Sequence, residues 1–109
     1  MTVLVCYCTC PDLAVATRIA ELLVEERLAA CVSLWPGVQS VYRWQGTIQR
    51  DTEVQLLIKT TRERLDAVLA RVVALHPNEL PELLAVDVAV GWSPYLDWIG
   101  EQTRMDTSQ

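Results

Sequence analysis

The stretch that most restricts what this chain can become runs from Cys31 to Thr60. It holds two extended runs rich in Val, Ile, Thr, Tyr and Trp, joined at Gln45-Gly46. That pattern reads as one long β-hairpin with a two-residue turn in which glycine supplies positive φ. Each arm has about fourteen residues and reaches about 45 Å at roughly 3.3 Å per residue. A rounded chain of this length should measure only about 34 Å across. The hairpin is therefore expected to overhang its own domain, and Trp35, Tyr42 and Trp44 along it offer aromatic area for another chain to cover. On the second arm, Glu53, Gln55, Leu57 and Lys59 point one way and Val54, Leu56 and Ile58 the other.

The elements around the hairpin follow from periodicity. Residues 2–10 form a near-continuous apolar run, the mark of a central strand buried on both faces. Pro11-Asp12 opens a helix of about four turns, with Pro11 in its first turn, Asp12 at the positive end of its dipole, and Leu13, Ala16, Ile19, Ala20 and Leu23 facing a sheet. After the hairpin, Thr60 and Glu63 have the spacing of a capping box for a second helix. Its stripe is Leu65, Val68, Leu69, Val72 and Val73, and His76-Pro77 ends it. Residues 78–82 read as a loop and Leu83 to Val90 as a strand that Gly91 closes. A short last helix starts with Ser93 as N-cap and Pro94 as first helical residue, and 104–109 make a loose polar tail. The order β-α-β-β-α-β plus a C-terminal helix is the split βαβ arrangement of an α+β, ferredoxin-like fold. Both long helices then cover one face of a mostly antiparallel sheet. The other face is left bare, and a closed homo-oligomer is the natural way to cover it.

One domain spanning 1–109 suits a chain that is 51% hydrophobic. A net charge of -5 argues against nucleic acid as partner and favours metal cations or basic protein surfaces. No apolar run approaches the ~18 residues of a membrane span, and no export signal is visible, so the expected compartment is the cytoplasm. Cys6, Cys8, Cys10 and Cys31 read as free thiols rather than as a disulfide framework.

A run of residues in fixed order, from Cys31-Val32 through Pro36-Gly37, Ser40, Tyr42, Trp44, Gly46, Ile48, Glu53 and Leu57-Ile58-Lys59-Thr60, is followed by His76-Pro77, Glu79, Pro81-Glu82, Tyr95-Leu96 and Trp98. Over roughly residues 3 to 103 this resembles the CutA divalent-cation-tolerance family. The resemblance implies a ferredoxin-like subunit, a homotrimer built through the long hairpins with an architecture similar to PII signal proteins, and association with copper and other divalent cations without catalysis. Two positions depart from the family's pattern. Ser33 stands where Asn is common and Asn78 where Tyr is common, the latter inside the presumed functional loop.

Cys6, Cys8 and Cys10 project from one strand face, and Cys-x-Cys spacing suits a soft ion such as Cu(I) or Zn(II). Burial as small hydrophobes is the stronger reading of the three, and of Cys31. Of the three, Cys8 occupies the place where the family often carries a cysteine. His76, the only histidine, reads alone either as a ligand or as a helix C-terminal residue meeting carbonyls. With the resemblance, the candidate metal set is Cys8, His76, Glu79 and Glu82. Tyr42, Trp44, Glu53 and Lys59 are candidates for an inter-subunit cleft that binds a ligand, or for interface filler. Such a cleft would fit a second reading, a PII-like signalling or scaffold module binding a small anion or a partner protein. A third, weaker reading is that Gly37 to Arg43 resembles the phosphate loop of acylphosphatases. It sits within a strand, with Ser40 in place of a glycine, which does not suit converging backbone donors.

Overall fold

The computed structural model describes residues 1–105, so residues 106–109 of the expected tail lie outside it. The elements are β1 (Val3–Cys10), α1 (Leu13–Glu25), β2 (Cys31–Trp44), β3 (Thr47–Thr61), a short 3-10 turn (Arg62–Arg64), α2 (Leu65–Leu75), β4 (Leu84–Asp87) and α3 (Ser93–Gln102). The four strands form one sheet in the order β2-β3-β1-β4, with every neighbour antiparallel. This is the ferredoxin-like α+β order expected from the sequence, with β1 in the interior.

Alternation along β1 and β3 sets the two faces. Leu4, Cys6, Cys8 and Cys10 on β1 and Val54, Leu56, Ile58 and Thr60 on β3 are buried and share the face that α1 and α2 cover. Ala16, Ile19, Ala20 and Leu23 of α1 and Val68 and Val72 of α2 close that core. Val5 and Tyr7 on β1 and Glu53, Gln55, Leu57 and Lys59 on β3 are only half-buried on the opposite face. So β1 is covered on one face by its own chain rather than on both. Leu84 and Val86 of β4 and Trp35 of β2 continue the open face and are exposed. Only its Val3 end is covered, where Val3 and Ala30 pack against Ile99 of α3 with Leu96 and Val88 beside them.

The hairpin overhangs as its length requires. The molecule measures 50 × 31 × 21 Å with a radius of gyration of 14.7 Å, against about 13 Å for a rounded chain of this size. Gln45 and Gly46 both have positive φ, 51° and 80°, the geometry of a type I′ turn. Partway up the ribbon the register shifts between Trp35 and Val38. Pro36 and Gly37, the latter at φ 82°, form a bulge there. One extra residue changes the parity of β2. Tyr42 and Trp44 therefore lie on the same face as Glu53, Asp51 and Lys59, since Ser40 pairs with Asp51, Tyr42 with Gln49 and Trp44 with Thr47.

Several local expectations are corrected. Asp12 is the N-cap of α1, accepting from the Val15 amide at 2.9 Å, and Pro11 precedes the helix. Leu13 and Val73 are exposed rather than part of their helices' buried stripes. No capping box forms, because Thr60 still belongs to β3 and its hydroxyl donates to the Leu28 carbonyl at 2.6 Å. β4 spans four residues rather than eight, although the Val88 amide adds one further bond to the Val3 carbonyl. Trp92, not Ser93, is the N-cap of α3, with Ser93 and Pro94 inside its first turn.

Candidate metal centre

Strand alternation places Cys8 and Cys10 side by side beneath the helices, both fully buried. The end of α2 brings His76 to them. Pro77 holds His76 in an extended conformation, φ -79° and ψ 135°, so the helix stops with the imidazole turned into the sheet. The His76 amide closes α2 on the Val72 carbonyl at 2.8 Å. The two sulfurs and a His76 ring nitrogen all lie within 4.8 Å of one another. A tetrahedral ion with Zn–S bonds of about 2.3 Å would separate two sulfurs by about 3.8 Å, so small shifts would bring the donors into range.

The ring is fully engaged. Nδ1 accepts from the Asn78 amide at 3.0 Å, which leaves the proton on Nε2, and Nε2 donates to the Thr9 carbonyl at 2.8 Å. Among the described residues no buried side-chain nitrogen or oxygen lacks a partner. The pocket is thus a satisfied part of the core as it stands. Ligation by His76 would require one of these backbone bonds to open, at roughly 1–3 kcal/mol for a buried unpaired group.

Electrostatics at the pair are unequal. The Cys8 thiol is pushed up, first by its hydrogen bond to Cys10, then by burial and the charges of Cys10, Glu82 and Glu53. Cys10 is lowered by the Cys8 hydrogen bond, against burial and the carboxylates of Glu53 and Asp12. Of the two thiols, Cys10 therefore gives up its proton first and Cys8 holds its own more tightly. Burial alone pushes Cys6 up to about 11. The charged neighbours that act on this pair are all carboxylates, so a cation entering it is favoured where a bare thiolate is not.

Of the expected metal set, the structure brings Cys8 and His76 together and adds Cys10. Glu79 is exposed. Glu82 is half-buried, and its Oε2 accepts from Gln55 Nε2 at 3.2 Å; the same nitrogen donates to the Cys8 carbonyl at 3.1 Å. Cys10 carries the same signal in its spacing of two from Cys8, whereas the resemblance singles out Cys8 alone. The cleft candidates are strung along the open face. Lys59 Nζ donates to Ser33 Oγ at 2.7 Å near the hairpin base, and the Tyr42 hydroxyl donates to Asp51 near its tip, which raises the Tyr42 pKa. Glu53 lies between them, opposite Val38, and Trp44 is exposed beside the turn. Within one chain they do not converge.

The class defined by the fold is a ferredoxin-like α+β domain with an oversized β2-β3 hairpin, which here also carries a buried thiol-imidazole cluster. Residues 4–102 match the family model described as CutA1 divalent ion tolerance protein, and the chain belongs to that family. It is 50% identical over 95 residues, 87% of this chain and 92% of the relative, to the divalent-cation tolerance protein CutA of Thermus thermophilus. A crystal structure of CutA from Xylella fastidiosa superposes with a TM-score of 0.92 at 50% identity, covering 94% of this chain and 98% of that one. A relative from Arabidopsis thaliana, 39% identical over 93% of this chain and 56% of its own length, is named chloroplastic, so membership does not fix a compartment. No helix among the described residues is long and apolar enough to cross a membrane.

Proposed function

We propose that this chain serves divalent-cation tolerance by binding copper or another divalent metal ion without catalysis, as a homotrimer in the cytoplasm. The observation that carries the metal reading is the buried convergence of Cys8, Cys10 and His76. Their donors fit the group, since thiolate and imidazole are the ligands that borderline and soft ions such as Zn(II) and copper take. An ion there would supply a positive centre that neutralises the two thiolates amid the carboxylates of Glu53, Glu82 and Asp12. Glu82 and Glu79 belong to the same proposal as the acids of the loop over the pocket.

Exposed area supports association, and the family resemblance supplies the threefold form. The chain exposes 6992 Å², against about 6,100 Å² for a rounded protein of its mass. The surplus fits an open sheet face and an overhanging ribbon, both rich in apolar side chains. Tyr42, Trp44, Glu53 and Lys59 would then line the seams between subunits.

Equilibrium dialysis of the reduced protein against Cu(II) and Zn(II) tests the metal reading. About one ion per chain is expected, and that binding should fall in Cys8→Ala and His76→Ala. Less than one ion per three chains at micromolar metal would overturn it.

A further inference from the structure

His76 is bonded on both sides, and the two bonds are not independent. Nδ1 accepts from the Asn78 amide while Nε2 donates to the Thr9 carbonyl. A neutral imidazole has one N–H and one lone pair, so a metal can take only the nitrogen without the proton. If the ion takes Nδ1, it displaces the Asn78 amide directly. If it takes Nε2, the proton must move to Nδ1, where it faces the Asn78 N–H, donor against donor. Through either nitrogen, ligation is incompatible with the Asn78 bond.

That bond is the first tether of the segment between α2 and β4. His76 ends the helix, and Asn78 begins an exposed run through Glu79 and Leu80. A second tether holds the far end, where Gln55 Nε2 bridges the Cys8 carbonyl and Glu82. Both tethers lead back to the strand that carries the two cysteines. The near tether therefore runs through a nitrogen that an ion would claim, while the far one holds the other end of the loop to β1 and β3.

We infer that metal binding at Cys8, Cys10 and His76 unlatches the 78–82 loop, so that ion occupancy is converted into a change on the protein surface. The inference rests on the metal reading above and adds what the bound ion does. The balance is simple: a divalent ion enters, two S–H groups lose their protons to solvent, and two metal–sulfur bonds and one metal–nitrogen bond form. With a neutral imidazole the buried assembly carries no net charge, whereas a monovalent ion would leave it negative beside Glu53 and Glu82. A divalent ion that accepts both sulfur and nitrogen is the class of ligand implied. The surface released carries Glu79 and Leu80, the latter 74% exposed already.

Backbone amide exchange of the reduced full chain, read residue by residue with and without one equivalent of Zn(II), tests this, together with the ¹⁵N shifts of the His76 ring. Without metal the Asn78 amide should be protected and the ring should hold its proton on Nε2. With Zn(II) the Asn78 amide should exchange about tenfold faster or more, and one ring nitrogen should shift as a ligand. Cys10→Ala with Zn(II) should keep Asn78 protected. Zn(II) bound with Asn78 protection unchanged would overturn the latch and leave the metal reading standing. Failure to bind Zn(II) in parallel dialysis would overturn both.

Discussion

Thr60 ties the end of β3 to the segment that follows α1. Its spacing to Glu63 suggests a helix cap, but its hydroxyl, fully buried, is bonded to the carbonyl of Leu28, thirty-two positions away. A long-range acceptor took the group that the local motif would have used. Thr60→Val keeps the shape and leaves the Leu28 carbonyl unpaired, so it should destabilise the fold by about 1–3 kcal/mol in chemical denaturation. Cys6 gives a second test at this scale. Burial raises its thiol from 9.0 to about 11 in the folded chain. A folded pKa above the unfolded one means the native state binds the extra proton, so the contribution is whole below pH 9 and is lost as pH rises through 11. Metal-free protein should lose up to roughly 3 kcal/mol across that window from this group, and Cys6→Ala should flatten the slope of denaturation midpoint against pH. The same scale explains the site. His76 and Cys8 were legible as candidates, whereas the satisfaction of both ring nitrogens by Thr9 and Asn78 depends on how α2 meets β1, which spacing does not encode.

At the level of elements, the hairpin was the most readable feature, because β-branched and aromatic residues alternate over two long arms about a Gln-Gly turn. What alternation did not reveal is the bulge at Pro36-Gly37. Counting by twos through it assigns Tyr42 and Trp44 to the wrong face; the extra residue puts them with Glu53 and Lys59. β4 was overread for a related reason. Leu83 to Val90 is apolar but for Asp87, yet the strand is confined to Leu84–Asp87 with one further bond from the Val88 amide, and Val90, 89% exposed, is apolar without being strand. The turn itself supplies a prediction in both directions. Gly46 sits at φ 80°, which an L side chain adopts poorly, so Gly46→Ala should cost about 1–2 kcal/mol. Gln45, at φ 51°, pays a smaller penalty of the same kind, and Gln45→Asn should raise stability by up to about 1 kcal/mol. The two variants measured side by side by urea denaturation should move in opposite directions.

For the whole molecule, the unresolved balance is between a ribbon that extends past its core and a sheet with one face uncovered. Val5, Tyr7 and Leu57 are half-buried there, while Leu84, Val86 and Trp35 stand 62%, 50% and 65% exposed. A face of that composition is costly to leave in water at roughly 25 cal/mol per Å² of apolar surface, and association removes the cost without any change in the fold. Charge placement agrees, because the Lys59 ammonium on that face meets Ser33 and the Cys31 sulfur rather than a carboxylate. An acid from a second copy would complete it. On the trimer proposed above, the chain should run in sedimentation at about three times its 12.3 kDa mass. Val86→Glu puts a charge on the open face at its β4 edge, beside Val5 of β1. It should shift sedimentation toward the monomer while far-UV circular dichroism stays close to that of the parent. If the parent itself runs as a monomer, the open face has some other occupant and the seam assigned to Tyr42, Trp44, Glu53 and Lys59 falls with it.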